Sequence, residues 1–127
     1  MQAGTDHAAD LGLDADKFSV TGANNGNNNY PGLNKIGEIR MYSGNDGSNG
    51  EGNSITVTAK EGTIVSFTVT FSSGYDGEYL EVTTADGTVV TAADGVYTVN
   101  SSSFTMKNVN PAKSKQIRFT AIAITVA

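Results

Sequence analysis

From residue 63 onward the chain alternates apolar and polar residues in short runs, each closed by Gly, Asn or Asp. The runs are TIVSFTVTF, YLEVTT, TVVTA, VYTVN, SFTMK and QIRFTAIAITV. A period of two sends successive side chains to opposite faces, so each run predicts a strand and the turn residues between them predict antiparallel pairing. Upstream, KFSV at 17–20, KIGEIRMYS and SITVTA have the same character. Phe18 and Val20 share one face there, Ile39 and Met41 lie opposite Arg40 and Tyr42, and Ile55, Val57 and Ala59 lie opposite Thr56 and Thr58.

Finer features follow from the same pattern. Val65, Phe67, Val69 and Phe71 read as an unbroken inward row, with Ser66, Thr68 and Thr70 on a wet face. Two ADG turns, at 85–87 and 93–95, predict hairpins in a meander, because Asp-Gly favours the primed turns that match strand twist. In the last run Ile117 and Phe119 have one parity and Ile122, Ile124 and Val126 the other, which predicts a bulge near Thr120–Ala121. GANNGNNNYPGLN and GNDGSNGEGN are polar loops, and the sole helical turn falls within residues 5–16. The sum is an all-β chain: an antiparallel β-sandwich, jelly-roll-like, of about eight or nine strands with long loops at one end. It forms a single module over 1–127, with 1–9 loosely ordered.

Composition narrows the function classes. A chain of 127 residues suits one domain and buries a core without disulfides or metal. Its net charge of −5 repels nucleic acid, and no basic stripe interleaves with aromatics. The absence of Cys removes thiol chemistry, and no apolar stretch reaches the ~20 residues that cross a bilayer. Charged residues are only 17%, while Gly, Asn, Ser and Thr are abundant, which leans toward an extracellular or cell-surface protein. MQAGTDHAAD is not itself a signal peptide, having neither a basic start nor an apolar run.

The phrases DLGLDADKFSVTG, GEIRMYSG, GNSITVTAKEGTIVSFTVTF, VYTVNSSSFTMKNV and QIRFTAIAITV run in order from about Asp10 to Val126. Together they resemble a family of β-sandwich accessory modules in secreted multi-domain proteins of gut-type Firmicutes and their relatives. The resemblance implies a carbohydrate-binding-module-like domain, attached to other domains of a parent protein. It supplies no catalytic residues.

Candidate chemistry is sparse. The single histidine, His7, lies near a terminus expected to fray, so a His-based triad is not anticipated. Glycosidase chemistry needs two carboxylates facing across a cleft, but Asp76, Asp86 and Asp94 sit where turns call for Asp anyway. Sugars are held by aromatic rings stacking on C–H faces, with amides and carboxylates taking the hydroxyls. Tyr30 with Asn28 and Asn29, and Tyr75 and Tyr79 with Asp76, supply both ingredients, and Tyr42 extends the platform. A structural Ca2+ is the one cofactor the chain suggests, through Asn45, Asp46 and Glu51 in an oxygen-rich loop that lacks EF-hand spacing. The expectation is therefore a non-catalytic extracellular module binding polysaccharide or glycan through Tyr stacking and Asn/Asp hydrogen bonds. The rival is a structural or adhesive spacer without a small ligand.

Overall fold

The structure is a computed structural model and describes residues 1–45 and 50–127. Among the described residues alternation is realised as ten strands: β1 (Phe18–Ala23), β2 (Gly32–Leu33), β3 (Ile39–Tyr42), β4 (Ser54–Ala59), β5 (Ile64–Phe71), β6 (Leu80–Thr84), β7 (Val89–Val90), β8 (Val96–Ser101), β9 (Ser103–Asn108) and β10 (Gln116–Val126). They build two five-stranded sheets, ordered β1-β4-β9-β6-β7 and β2-β3-β10-β5-β8. All pairings are antiparallel. The chain passes repeatedly from one sheet to the other, and β2–β3 and β6–β7 are the two pairs adjacent both in sequence and in a sheet.

The sandwich has ten strands where eight or nine were expected. The addition is β2, a two-residue strand in a segment that reads as pure loop, paired through Gly32 with Arg40 and Leu33 with Ile39. The same segment gives up Gly22 and Ala23 to β1, which pair with Ile55 and Ser54. Turn-forming composition did not prevent pairing, because the edges of β3 and β4 offered partners.

Between the sheets, Val20, Ile55, Val57, Val82, Phe104 and Met106 from the first face Ile39, Met41, Ile64, Phe67, Ile117 and Phe119 from the second, all buried. Phe67 joins the layers by stacking on Phe104 at 3.8 Å and on Tyr97 at 4.9 Å between ring centroids. The register of β10 on β5 shifts between Phe119 and Ala121, leaving Thr120 as the bulged residue, so Phe119 and Ile122 both turn inward. That is the bulge the parity change predicts.

Two readings need correction. The inward row of β5 is not unbroken, because the β5–β8 register shifts between Ile64 and Ser66. Ile64 is buried in place of Val65, and Phe67, Val69 and Phe71 carry the row on. The first ADG turn does close the β6–β7 hairpin. The second lies between strands of different sheets and makes only an isolated bridge between Ala93 and Val96, so the meander ends there.

The N-terminal residues, expected to be loose, pack along β1. A 3-10 turn, Ala8–Leu11, buries Ala8 and Leu11. The His7 N–H donates to the Val20 carbonyl, and the Asp6 carboxylate accepts from the Val20 N–H at 3.0 Å. Val20 presents these groups on the outer edge of the first sheet, so the segment occupies an edge that would otherwise be open to pairing. The Val20 N–H, followed by that of Ala8, holds the Asp6 carboxyl below its ordinary range.

Candidate functional site

At one end of the sandwich β1, β3, β5 and β9 finish and β4, β6 and β10 begin, so the loops at 24–31, 72–79 and 109–115 converge there with residues 43–45 and 50–53. Every tyrosine and asparagine singled out from the sequence lies in or beside these loops. Loops of this length carry backbone groups that must find partners. Buried amides provide them. Asn53 is fully buried; its side-chain carbonyl accepts from the Tyr42 N–H at 2.9 Å, and its NH2 donates to the carbonyls of Asn24 and Asn29 at 3.0 and 2.9 Å. The Asn108 NH2 donates to the Met41 and Lys115 carbonyls, and the Asn27 NH2 to that of Ser43. Asn108 thus ties β3 to the 109–115 loop.

On this frame lies a groove of about 630 Å³, open to solvent. Tyr75, Asp76, Glu78 and Tyr79 line it from the 72–79 loop, Asn110 and Lys115 from the 109–115 loop, and Gln116 and Arg118 from β10. The 72–79 loop is shaped locally: the Asp76 carboxylate accepts from the Glu78 N–H at 3.0 Å, an Asx turn. Gly77 then lets the backbone rest on the core, because a Cβ there would come within 2.8 Å of the Phe71 ring. Tyr79 is 38% exposed; Tyr75 is half-buried, with the Arg118 guanidinium carbon 5.3 Å from its ring centroid. Arg118 is fixed in turn by Gln116 Oε1 at 2.8 Å and Glu38 Oε1 at 2.9 Å. The Asn34 side-chain amide, bonded to the same Glu38 oxygen, is the leading cause that holds the Glu38 carboxyl below its ordinary range.

The groove unites Tyr75, Asp76 and Tyr79 as the sequence suggests. Tyr42 adjoins it, since Tyr42 pairs with Gln116 across β3 and β10 and both side chains point away from the core. Tyr30, Asn28 and Asn29 do not line it; they sit in the 24–31 loop beyond the β1 edge, with Tyr30 39% exposed and the Asn29 carbonyl engaged by Asn53. Gln116, Arg118, Lys115 and Asn110 escaped the sequence reading. The outward parity of 116 and 118, opposite the buried Ile117 and Phe119, is a signal for two of them, but their nearness to Tyr75 depends on tertiary structure.

The oxygen-rich loop lies partly outside the described residues. Asn45 is exposed, Asp46 lies outside the described residues, and the Glu51 carboxylate accepts from Lys107 Nζ at 2.8 Å. Among the described residues no three acidic or imidazole side chains gather in one place, and no helix is long and apolar enough to cross a membrane.

No family model, curated protein or solved structure matches this chain significantly.

Proposed function

We propose that the protein is a non-catalytic, extracellular carbohydrate-binding accessory module, and that its sugar lies in the groove of Tyr75 and Tyr79. The observation that carries this reading is an open groove in which two tyrosines stand among side chains of both hydrogen-bonding polarities: Asp76 and Glu78 accept, Lys115 and Arg118 donate, and Asn110 and Gln116 do both. Sugars need this combination, because each ring has an apolar C–H face and a rim of hydroxyls that donate and accept. Tyr79 offers the more accessible ring, while Arg118 backs Tyr75 and fixes its orientation.

The lining also argues against hydrolysis. Its carboxylates, Asp76 and Glu78, come from one loop separated by a single residue, whereas glycosidases set two carboxylates on opposite sides of the scissile bond. His7 is engaged with Asp10 on the β1 edge, away from the groove.

The test is a glycan array and a set of insoluble polysaccharides, probed with wild type and Tyr79→Ala. Loss of one stacked ring is worth about 1–3 kcal/mol by analogy with other ring–aromatic stacks, so binding is expected to fall about tenfold or more. The melting temperature should stay within about 2 °C, because Tyr79 is exposed. A clean blank from folded wild-type protein would favour the spacer reading; a large drop in melting temperature would show Tyr79 to be structural.

A further inference from the structure

Beside the tyrosine groove, at the β2–β3 edge of the second sheet, lies a second concavity of about 570 Å³ lined by Leu33, Asn34, Lys35, Ile36 and Arg40. It holds two cations and no carboxylate, in a chain whose net charge is −5. Arg40 stands directly opposite Arg118 across the β3–β10 pair. Like charges facing across strands are destabilising, and the two arginines are treated differently. Glu38 neutralises Arg118 at 2.9 Å, but among the described residues Arg40 has no ion pair. Its guanidinium carbon is 5.7 Å from the Tyr42 ring centroid, and its Nε is shielded from solvent with no hydrogen-bond acceptor. That buried Nε is closed to a ligand, so an anion in the hollow would be met by the rest of the guanidinium, a cation that no carboxylate neutralises. Next to it Leu33 and Ile36 are 48% and 77% exposed, giving an aliphatic surface beside the charge.

We infer that this face takes an acidic polysaccharide, whose carboxylates are met by Arg40 and Lys35 and whose sugar faces rest on Leu33 and Ile36. The inference rests on the carbohydrate reading of the tyrosine groove and names its ligand class. Continuity favours a polymer over a small anion: Arg40 and Tyr42 on β3 are immediate neighbours of Arg118 and Gln116 on β10, which line the groove. A chain lying across β2, β3 and β10 thus passes from the cationic hollow to the tyrosines. Neighbouring strands are ~4.8 Å apart, about the length of one sugar residue, so the two spacings from β2 to β10 span about two residues of a linear polymer before it reaches the tyrosines.

The experiment measures affinity for polygalacturonate, alginate and hyaluronan, each beside its carboxyl-reduced form, at about 0.15 M salt. There the Debye length of about 8 Å screens the acidic remainder of the surface from the hollow. At least one acidic polymer is expected to bind about tenfold tighter than its reduced form, the scale of one charge-assisted hydrogen bond. Arg40→Gln should abolish that preference and leave binding of the reduced polymer unchanged. Lys35→Gln, on an exposed side chain, should weaken it several-fold and stands in if the Arg40 variant fails to fold. The inference is overturned if no acidic polymer is preferred, if both variants keep the preference, or if poly-glutamate competes as well as the polysaccharide, which would indicate a protein partner. Binding of neutral polymers alone would sink this inference and leave the tyrosine groove standing; folded protein that binds no polysaccharide would sink both.

Discussion

At one end of the sandwich the strands are joined by tight connections, at 60–63, at 85–88 and at Ser102; at the other they are joined by the long loops that carry the groove. The two ends use polar side chains in different ways. In the 85–88 turn the exposed Asp86 carboxylate accepts from the hydroxyls of Thr84 and Thr88 and from the Thr88 N–H. The loop end has exposed Asx turns too, but it also keeps polar side chains inside: Asn27, Ser43, Asn53, Ser72 and Asn108 are all buried, and all belong to this end. The chemistry explains the choice. A carboxylate only accepts and is expensive to desolvate, whereas an amide is neutral and both donates and accepts. Asn53 can therefore satisfy two carbonyls and an N–H at once within the protein, and Asp86 serves donors at the surface.

The sharpest way to break that comparison is to exchange the chemistry at Asn53. Asn53→Asp keeps the shape but replaces the NH2 that donates to Asn24 and Asn29 with an acceptor, set against two carbonyls in a fully buried site. Two carbonyls lose their donor and a charge or a strained proton is left inside, so unfolding in urea should show a loss of about 3 kcal/mol or more. A change below about 0.5 kcal/mol would mean that water takes over these bonds and that the buried amides do not hold the loops.

These ends also differ in how far the sequence discloses them. The 85–87 turn and the Thr120 bulge are legible because each is a local event, one fixed by Asp-Gly chemistry and the other by a change of parity. The exception at the turn end is Val65, where a two-residue view of alternation missed that Ile64 takes the core position. At the loop end local signals mislead. Asn reads as a turn former, yet Asn53 and Asn108 lie at the start and end of pairing segments and face inward, because their partners arrive from segments up to 67 residues away. Of the tyrosine candidates, Tyr75 and Tyr79 share a groove through their common loop, and Tyr30 lies outside it; that Arg118 and Gln116 join them depends on β10 lying beside β3, which no local signal carries.

A milder probe addresses the turn end. Gly87 has φ +86, and a Cβ there would meet nothing within 4 Å. Gly87→Ala therefore carries only the left-handed backbone penalty, about 1 kcal/mol, with no steric clash. Thermal unfolding should register a few degrees of loss for a domain of this size, and glycan binding at the far end should be unchanged. A loss as large as that of Asn53→Asp would show the tight turns to be as critical as the buried loops.

The smallest expected effect separates the exposed carboxylate from the buried amides by pH. The Thr84 and Thr88 hydroxyls hold the Asp86 carboxyl down to about 2, against an ordinary value of 3.8. A group whose pKa is lowered on folding adds stability above its unfolded value and loses it as pH falls through the folded one. Asp86 should thus contribute fully above about pH 4, and progressively less down to about pH 2. The readout is the difference in melting temperature between wild type and Asp86→Asn, which should be flat from pH 7 to pH 4 and shrink below it. A titration of Asp86 followed by NMR should have its midpoint near 2. A midpoint near 3.8, or a difference that does not change with pH, would mean that the threonines close the turn without stabilising the charge. The exposed carboxylate would then be a turn former only, and the contrast between the ends would reduce to burial alone.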